Sequence, residues 1–373
     1  MKWLGDKLKE LVAKAGYTQA QISERLGVSR QTYNDWISGQ VPKGLHLIAI
    51  SRLLDVGAED LFAAGPSPVQ VAPVHRKRPN VKVDREMQDA AKELAMEYAS
   101  LLETQELPII EPVVRQNDEI TAGRLAVRMR EMAGLSDCMT PMDYRHTFGL
   151  LNKLGICVIF RQFPDSIKSR ALFTVINGHR VVLVNSAENV LDLIFCMLHE
   201  AVHAIRNRNP GDGWDKAEED FCDRVAGLVQ FPDNYVDDVR KAIQDRAPGV
   251  QVNVLKDFAG RHHHAIYGIV KRIEEKSGAK LGLDPKSQNG ADANLRKAFP
   301  TLGDALASSG NVSTFVQQME ALTPIWLDIV CRNADEMTTS KLADMIDLGV
   351  IDALAVRDEL LARQKRMANG CSL

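Results

Sequence analysis

Residues 191–206 read LDLIFCMLHEAVHAIR. A run this long without glycine or proline, apolar on most faces, predicts a buried helix. Inside it stands His199-Glu200-Ala201-Val202-His203, an HExxH motif. On a helix, positions i and i+4 share one face a single turn apart, so both imidazoles can bind one zinc ion. Glu200 points to the adjacent face, where it can take a proton from a water activated by the metal. The plainer alternative is a core helix holding two satisfied histidines.

The flanks give that motif a setting. Upstream, ICVIFRQF (156–163), ALFTVI (171–176) and HRVVLVN (179–185) are β-branched runs, and Asn177-Gly178 predicts a tight hairpin between the last two. Downstream, the polar, glycine-rich NRNPGDGWD (207–215) precedes a second helix at about 216–229, closed by Phe231-Pro232. A catalytic zinc needs a third protein ligand and an open fourth position. Glu219 and Asp223 share a face of the second helix. Glu219 can complete a His₂Glu set while Asp223 accepts the free N–H of a ligand histidine. Glu218 and Asp215 compete for the third position. His262-His263-His264, read as neighbours on one helix, point three ways and cannot chelate one ion together. They are expected at the surface or between helices. Cys138, in a loop before Thr140-Pro141, is a thiol that can be imagined blocking the open zinc position, though no residue pattern places it there.

The remaining pattern is helical. Helices are expected at about 84–103, from Glu119, from Thr140 as N-cap with Pro141 at the first position, then at about 253–276, 292–307, 312–332 and 339–366. ELPIIEPVV (106–114) breaks helicity, and PIWLDIVC (324–331) reads as a buried or dimerising segment. From about Thr121 to Glu275 the chain resembles the ImmA/IrrE family of zinc metallopeptidases. The resemblance is carried by ITAGRLAVRMREMAGL, LLNKLGICVIF, RVVLVN, HEAVH and EDFCDRVAGLVQFP, with NVLKDFAGRHHHAIYGIVKRIEEKSG fitting the closing helix pair. It puts Glu219 on the family's glutamate ligand, Cys222 on its usual alanine and Asp223 on its usual Asn or Asp. Val225 and Phe231 replace the more usual Phe and Met. The family implies cleavage of a dedicated transcriptional repressor in stress, DNA-damage, phage-defence or mobile-element responses. Strand His179–Val184 is then expected to pair with an extended substrate.

The first fifth of the chain carries a different signal. Residues 4–62 parse as five short helices centred on TQAQISERLGVSRQTYNDWI (18–37). Thr18 and Ser29 sit where N-caps belong, Gly27 supplies the turn, and Ala20, Ile22, Leu26, Val28, Tyr33 and Trp36 can form a small core. The second helix then presents Ser29, Arg30, Gln31, Thr32 and Asn34 as a polar face suited to a major groove, with Gln19 and Lys43 as flanking contacts. Through Gly39, Pro42 and the next helix the stretch resembles the Xre/lambda-repressor type of helix-turn-helix, which implies DNA as its partner.

The 373 residues are 45% hydrophobic and 25% charged with a net charge of −3, which excludes wholesale disorder and predicts two or three domains. No apolar run nears the ~20 residues of a membrane span. The charged N-terminus argues against export, and six scattered cysteines read as reduced thiols, so a cytoplasmic protein is expected. AAGPSPVQVAPVHRKRPN (63–80) mixes prolines and small residues, and Ala64–Val83 carries Arg76, Lys77, Arg78 and Lys82 with no acid. The organisation expected is mainly α with a small β-sheet: a five-helix helix-turn-helix domain (1–63), a basic proline-rich linker (64–83), a zincin-like α+β metallopeptidase domain (84–279) and a helical C-terminal region (280–373). Three functions follow: a DNA-associated protease whose partner is a helix-turn-helix repressor, a DNA-binding regulator or antitoxin whose zinc domain senses or scaffolds, or a vestigial site. A homodimer is left open.

Overall fold

Local capping chemistry starts two of the first four helices of the computed structural model, which describes residues 2–57, 61–63, 68–77, 82–111, 114–137, 139–207, 215–307 and 310–368. After a short strand β1 (Lys2–Trp3) come α1 (Gly5–Lys14), α2 (Gln19–Arg25), α3 (Arg30–Ile37) and α4 (Gly44–Leu54). Thr18 and Gln21 form a reciprocal capping box at the start of α2, and the Ser29 side chain accepts from the Thr32 N–H at the start of α3. Strand β2 (Phe62–Ala63) pairs with β1. The core is Trp3, Leu8, Ile22, Tyr33, Trp36 and Ile50 with their neighbours. Four of the five expected helices are therefore seen among the described residues; most of the fifth position, residues 58–60, lies outside them. Residues 1–67 form one compact unit and 68–373 a second.

The second unit is mainly helical around a four-stranded mixed sheet. Its elements run β3 (Val69–Lys77), α5 (Arg85–Glu97), α6 (Glu119–Ala133), α7 (Tyr144–Lys153), β4 (Ile156–Arg161), β5 (Ser169–Ile176), β6 (His179–Asn185), α8 (Leu193–Ile205), α9 (Lys216–Gln230), α10 (Asp233–Ile243), α11 (Pro248–His262) and α12 (Ile266–Ser277). Then follow α13 (Pro285–Arg296), α14 (Leu302–Ala307), α15 (Val312–Leu322), α16 (Pro324–Asn333), α17 (Thr339–Ile346) and α18 (Val350–Ala368). The strand order is β3-β5-β6-β4, with β5 antiparallel to both neighbours and β4 parallel to β6. The Asn177-Gly178 hairpin is as expected: Ile176 faces His179, and both turn residues have positive φ. Gly178 is required twice over, because a Cβ there would come within 1.9 Å of the Gln105 carbonyl oxygen.

Several expectations need correction. The segment read as a linker is not free: Val69–Lys77 pairs with β5, a non-local partnership that its prolines conceal. The division at 279 is not seen, because Leu302, Phe315, Trp326, Leu342 and Leu360 share one core with the sheet and α8. Trp326 is wholly buried there, so PIWLDIVC is a core segment. α5 stops at Glu97. α7 begins after Asp143, whose carboxylate accepts from the His146 N–H, while Thr140 is tied back to Asp137. The helix expected over 253–276 breaks at His263, which is left-handed, and the one over 339–366 breaks at Asp347 for the same reason. The 312–332 helix is interrupted at Thr323, before Pro324. The 292–307 helix is likewise two, α13 and α14. α10 had no counterpart in the sequence reading.

Strand β6 cannot receive a substrate. Arg180–Asn185 pair with β4 on one side and His179–Val184 with β5 on the other, so both edges are taken.

Candidate metal centre

Helix α8 lies across β5, with residues Cys196 to Ile205 all buried. Burial of a polar pair on such a helix is costly unless the groups are paired or bind a metal. His199 and His203 bring their Nε2 atoms to 3.1 Å of one another. From α9, Glu219 sets one carboxylate oxygen 3.3 Å from His199 Nε2 and the other 3.4 Å from His203 Nε2. Donors around a tetrahedral ion with bonds of about 2.0–2.1 Å lie about 3.3–3.4 Å apart. The two imidazole nitrogens and the Glu219 carboxylate, one oxygen toward each histidine, thus converge at about the spacing that donors to one such ion keep, and two imidazoles with one carboxylate are a donor set that zinc accepts.

The surroundings orient these donors. Asp223 Oδ1 lies 2.9 Å from His199 Nδ1, an ion-pair contact on the side of the ring away from the Nε2 that faces Glu219. The other Asp223 oxygen is 3.9 Å from Lys271 Nζ. The Phe173 ring stacks on His203, with centroids 6.3 Å apart. Burial by itself raises the Glu219 carboxyl. Hydrogen bonds to His199 and His203, and their charge, outweigh it and hold the group well below the usual carboxylate range. Glu200, between the two histidines, is fully enclosed at 0% exposure.

The competing third ligands are occupied elsewhere. Glu218 makes a two-pronged pair with Arg206, at 3.1 and 2.8 Å. Asp215 caps α9 by accepting from the Ala217 N–H. Sequence reasoning did not find the role of Cys222. Its Sγ lies 3.6 Å from His203 Nδ1 and 3.9 Å from Glu218 Oε1, linking that histidine to the Arg206–Glu218 pair. Burial first, then the carboxylates of Glu218, Glu219 and Glu200, push this thiol well above its ordinary value. The signal was the four-residue spacing of Glu218 and Cys222 on one helix face.

The histidine triplet is elsewhere. His262 ends α11, His263 is its left-handed C-cap, and the buried His264 pairs with Gln230 at 2.9 Å. It is an interhelical feature, as expected, although its residues do not share a helix. Cys138 lies outside the described residues, as do 208–214 between α8 and α9. Cys157, Cys196, Cys222 and Cys331 are buried free thiols.

In the N-terminal unit, Gln19, Ser29, Arg30, Gln31 and Lys43 are exposed, and Thr32 and Asn34 are half-buried. The Ser29 and Thr32 hydroxyls are 2.8 Å apart within the cap, and Gln31 donates to Asp35 at 2.9 Å, so Arg30 is the least committed of the group's long side chains on α3. Residues 8–61 match the helix-turn-helix family model, which makes this unit a helix-turn-helix domain, of the kind that supports DNA binding and transcription regulation. No curated protein and no solved structure matches the chain. Among the described residues, no helix is long and apolar enough to cross a membrane.

Proposed function

We propose that the second unit is a zinc-dependent endopeptidase of the ImmA/IrrE type, with a zincin-like arrangement of sheet and helices, and that it serves a DNA-binding regulator. The observation that carries this reading is the donor triangle of His199, His203 and Glu219 with Glu200 enclosed beside it. A bound zinc ion would polarise a scissile carbonyl and acidify a water. Glu200 would hold the proton released and return it to the departing amine. Asp223 and Cys222 keep the two imidazoles turned, and Glu219 supplies the negative charge a dication favours. The substrate class is a helix-turn-helix repressor, and the response one to stress, DNA damage, phage or mobile elements.

A second reading is favoured by the helix-turn-helix match: a DNA-binding regulator or antitoxin in which the same triangle holds zinc only as a scaffold. A base beside the metal has no use in a scaffold, so Glu200 separates the two. Glu200→Gln keeps size and shape but cannot take the proton. In cells co-expressing a helix-turn-helix repressor that the wild type cleaves, cleavage should fall about 10²–10⁴-fold while zinc content stays the same. Equal repressor levels with wild type and variant, with no fragment in either, contradict the peptidase reading.

A further inference from the structure

His203 stands between two sets of donor atoms. Its Nε2 meets His199 and Glu219. Its other ring nitrogen, Nδ1, lies 3.6 Å from the Cys222 sulfur, and that sulfur lies 3.9 Å from Glu218 Oε1. His203, Glu218 and Cys222 bring one donor atom each within 4.8 Å of one another. Around a tetrahedral zinc ion, a thiolate at about 2.3 Å sits about 3.5–3.6 Å from nitrogen or oxygen donors at about 2.0–2.1 Å. The distances at Cys222 equal or slightly exceed that spacing, so an ion larger than zinc fits with less movement. His203 and Cys222 are wholly enclosed, and the Glu218 side chain is only 13% exposed.

The chemistry of this second set differs from that of the first. It holds a sulfur where His199, His203 and Glu219 offer only nitrogen and oxygen, and soft ions prefer thiolate. The sulfur is this chain's own, since the family it resembles usually has alanine at the position. The carboxylates of Glu218, Glu219 and Glu200 act on the sulfur against the single cation Arg206, a balance that favours a bound cation. Glu218 can keep Arg206 while serving as a ligand, because each carboxylate oxygen has two lone pairs. The imidazole has less to give. A neutral ring carries one lone pair and one N–H, so an ion on Nδ1 leaves the proton on Nε2, where zinc would bind.

We propose that Cys222, Glu218 and His203 Nδ1 form a second, inhibitory site for a soft, thiophilic cation, filled in competition with zinc at the first. Binding forms a metal–sulfur bond and a metal–Nδ1 bond. The thiol proton leaves to solvent, and the ring proton of His203 passes from Nδ1 to Nε2. The first set then retains only His199 and Glu219 as donors. The competition rests on the proposed zinc centre, whereas the sulfur site is measurable without it.

The test titrates Cd²⁺ into full-length, zinc-loaded protein and into its Cys222→Ser and Glu218→Gln variants. Ultraviolet thiolate-to-cadmium charge transfer reports the sulfur, and metal analysis after removal of free ions counts both metals. Wild type should bind about one Cd²⁺ per chain through a thiolate and lose zinc in proportion. Cys222→Ser should lack that band and keep its zinc, and Glu218→Gln should need at least about tenfold more Cd²⁺. Identical bands in wild type and Cys222→Ser overturn the proposal, because the five other cysteines then account for them. Equal zinc loss in both proteins, or zinc kept beside a band that depends on Cys222, overturns the competition. A band that depends on Cys222 in protein that takes up no zinc keeps the sulfur site and removes the zinc centre. Should Cys222→Ser not fold, Cys222→Ala takes its place.

Discussion

The N-terminal unit and the metal-centre unit place their functional residues in opposite environments. In the first, Arg30, Gln31 and Lys43 stand exposed at helix starts, and the Ser29 cap that holds the start of α3 lies beside Arg30 and Gln31. In the second, His199, His203 and Glu200 are buried, and Glu219 and Asp223 reach them from another helix. An exposed polar site is cheap to build and works through water and counterions. A buried one has to satisfy every group, so neighbours such as Arg206, Glu218 and Cys222 are drawn into its support. Substitutions should therefore act locally in the first unit and through shared networks in the second.

The largest test of that contrast concerns packing. A Cβ on Gly5 would stand 2.3 Å from the Ile37 carbonyl oxygen, where α1 meets the end of α3. Gly5→Ala should destabilise the N-terminal unit by about 2–3 kcal/mol. Calorimetry should show its transition moved down and that of the second unit unchanged. A single transition that shifts as a whole would mean the two units do not unfold separately.

A smaller effect belongs to the second unit. Burial, then His262 and His263, push His264 down to about 3 from its ordinary 6.5. Between those values the unfolded chain takes up a proton that the folded one refuses. Stability is then present above pH 6.5 and is lost as pH falls toward 3, by up to about 1.4 kcal/mol per unit. Denaturant unfolding at pH 7 and pH 5 should show about 2 kcal/mol more loss in wild type than in His264→Gln. Identical losses would sink the assignment.

The smallest effect is expected at the exposed face. Arg30→Ala should weaken binding to duplex DNA about five- to tenfold, and the slope of log K against log salt should lose about one unit. Zinc content should not change. An unaltered salt slope would mean that Arg30 meets no phosphate.

What could be read from the sequence follows the same divide. Caps and turns are local, so Thr18, Gly27 and Ser29 gave α2 and α3 their limits. The i, i+4 histidines were legible for the same reason. Glu219 was preferred over Glu218 and Asp215 from the face it shares with Asp223 and from the resemblance, but what occupies the two competitors, the pair with Arg206 and the cap at Ala217, depends on packing that local pattern does not show. β3 was misread since its pairing with β5 spans about a hundred residues and Pro73 speaks against a strand. Helix breaks at His263 and Asp347 were missed because neither residue is glycine, the usual marker of a left-handed turn. Pairing of His179–Val184 with a substrate failed because edge position is a property of the whole sheet.

The central claim is that His199, His203 and Glu219 together hold one zinc ion. Metal analysis of the purified full-length protein tests it, with His203→Ala, Glu219→Gln and Glu218→Gln measured beside wild type. About one zinc per chain is predicted for wild type. It should be lost in His203→Ala, weakened in Glu219→Gln and largely kept in Glu218→Gln, whose partner is Arg206. Wild-type zinc content in His203→Ala and Glu219→Gln would contradict the account.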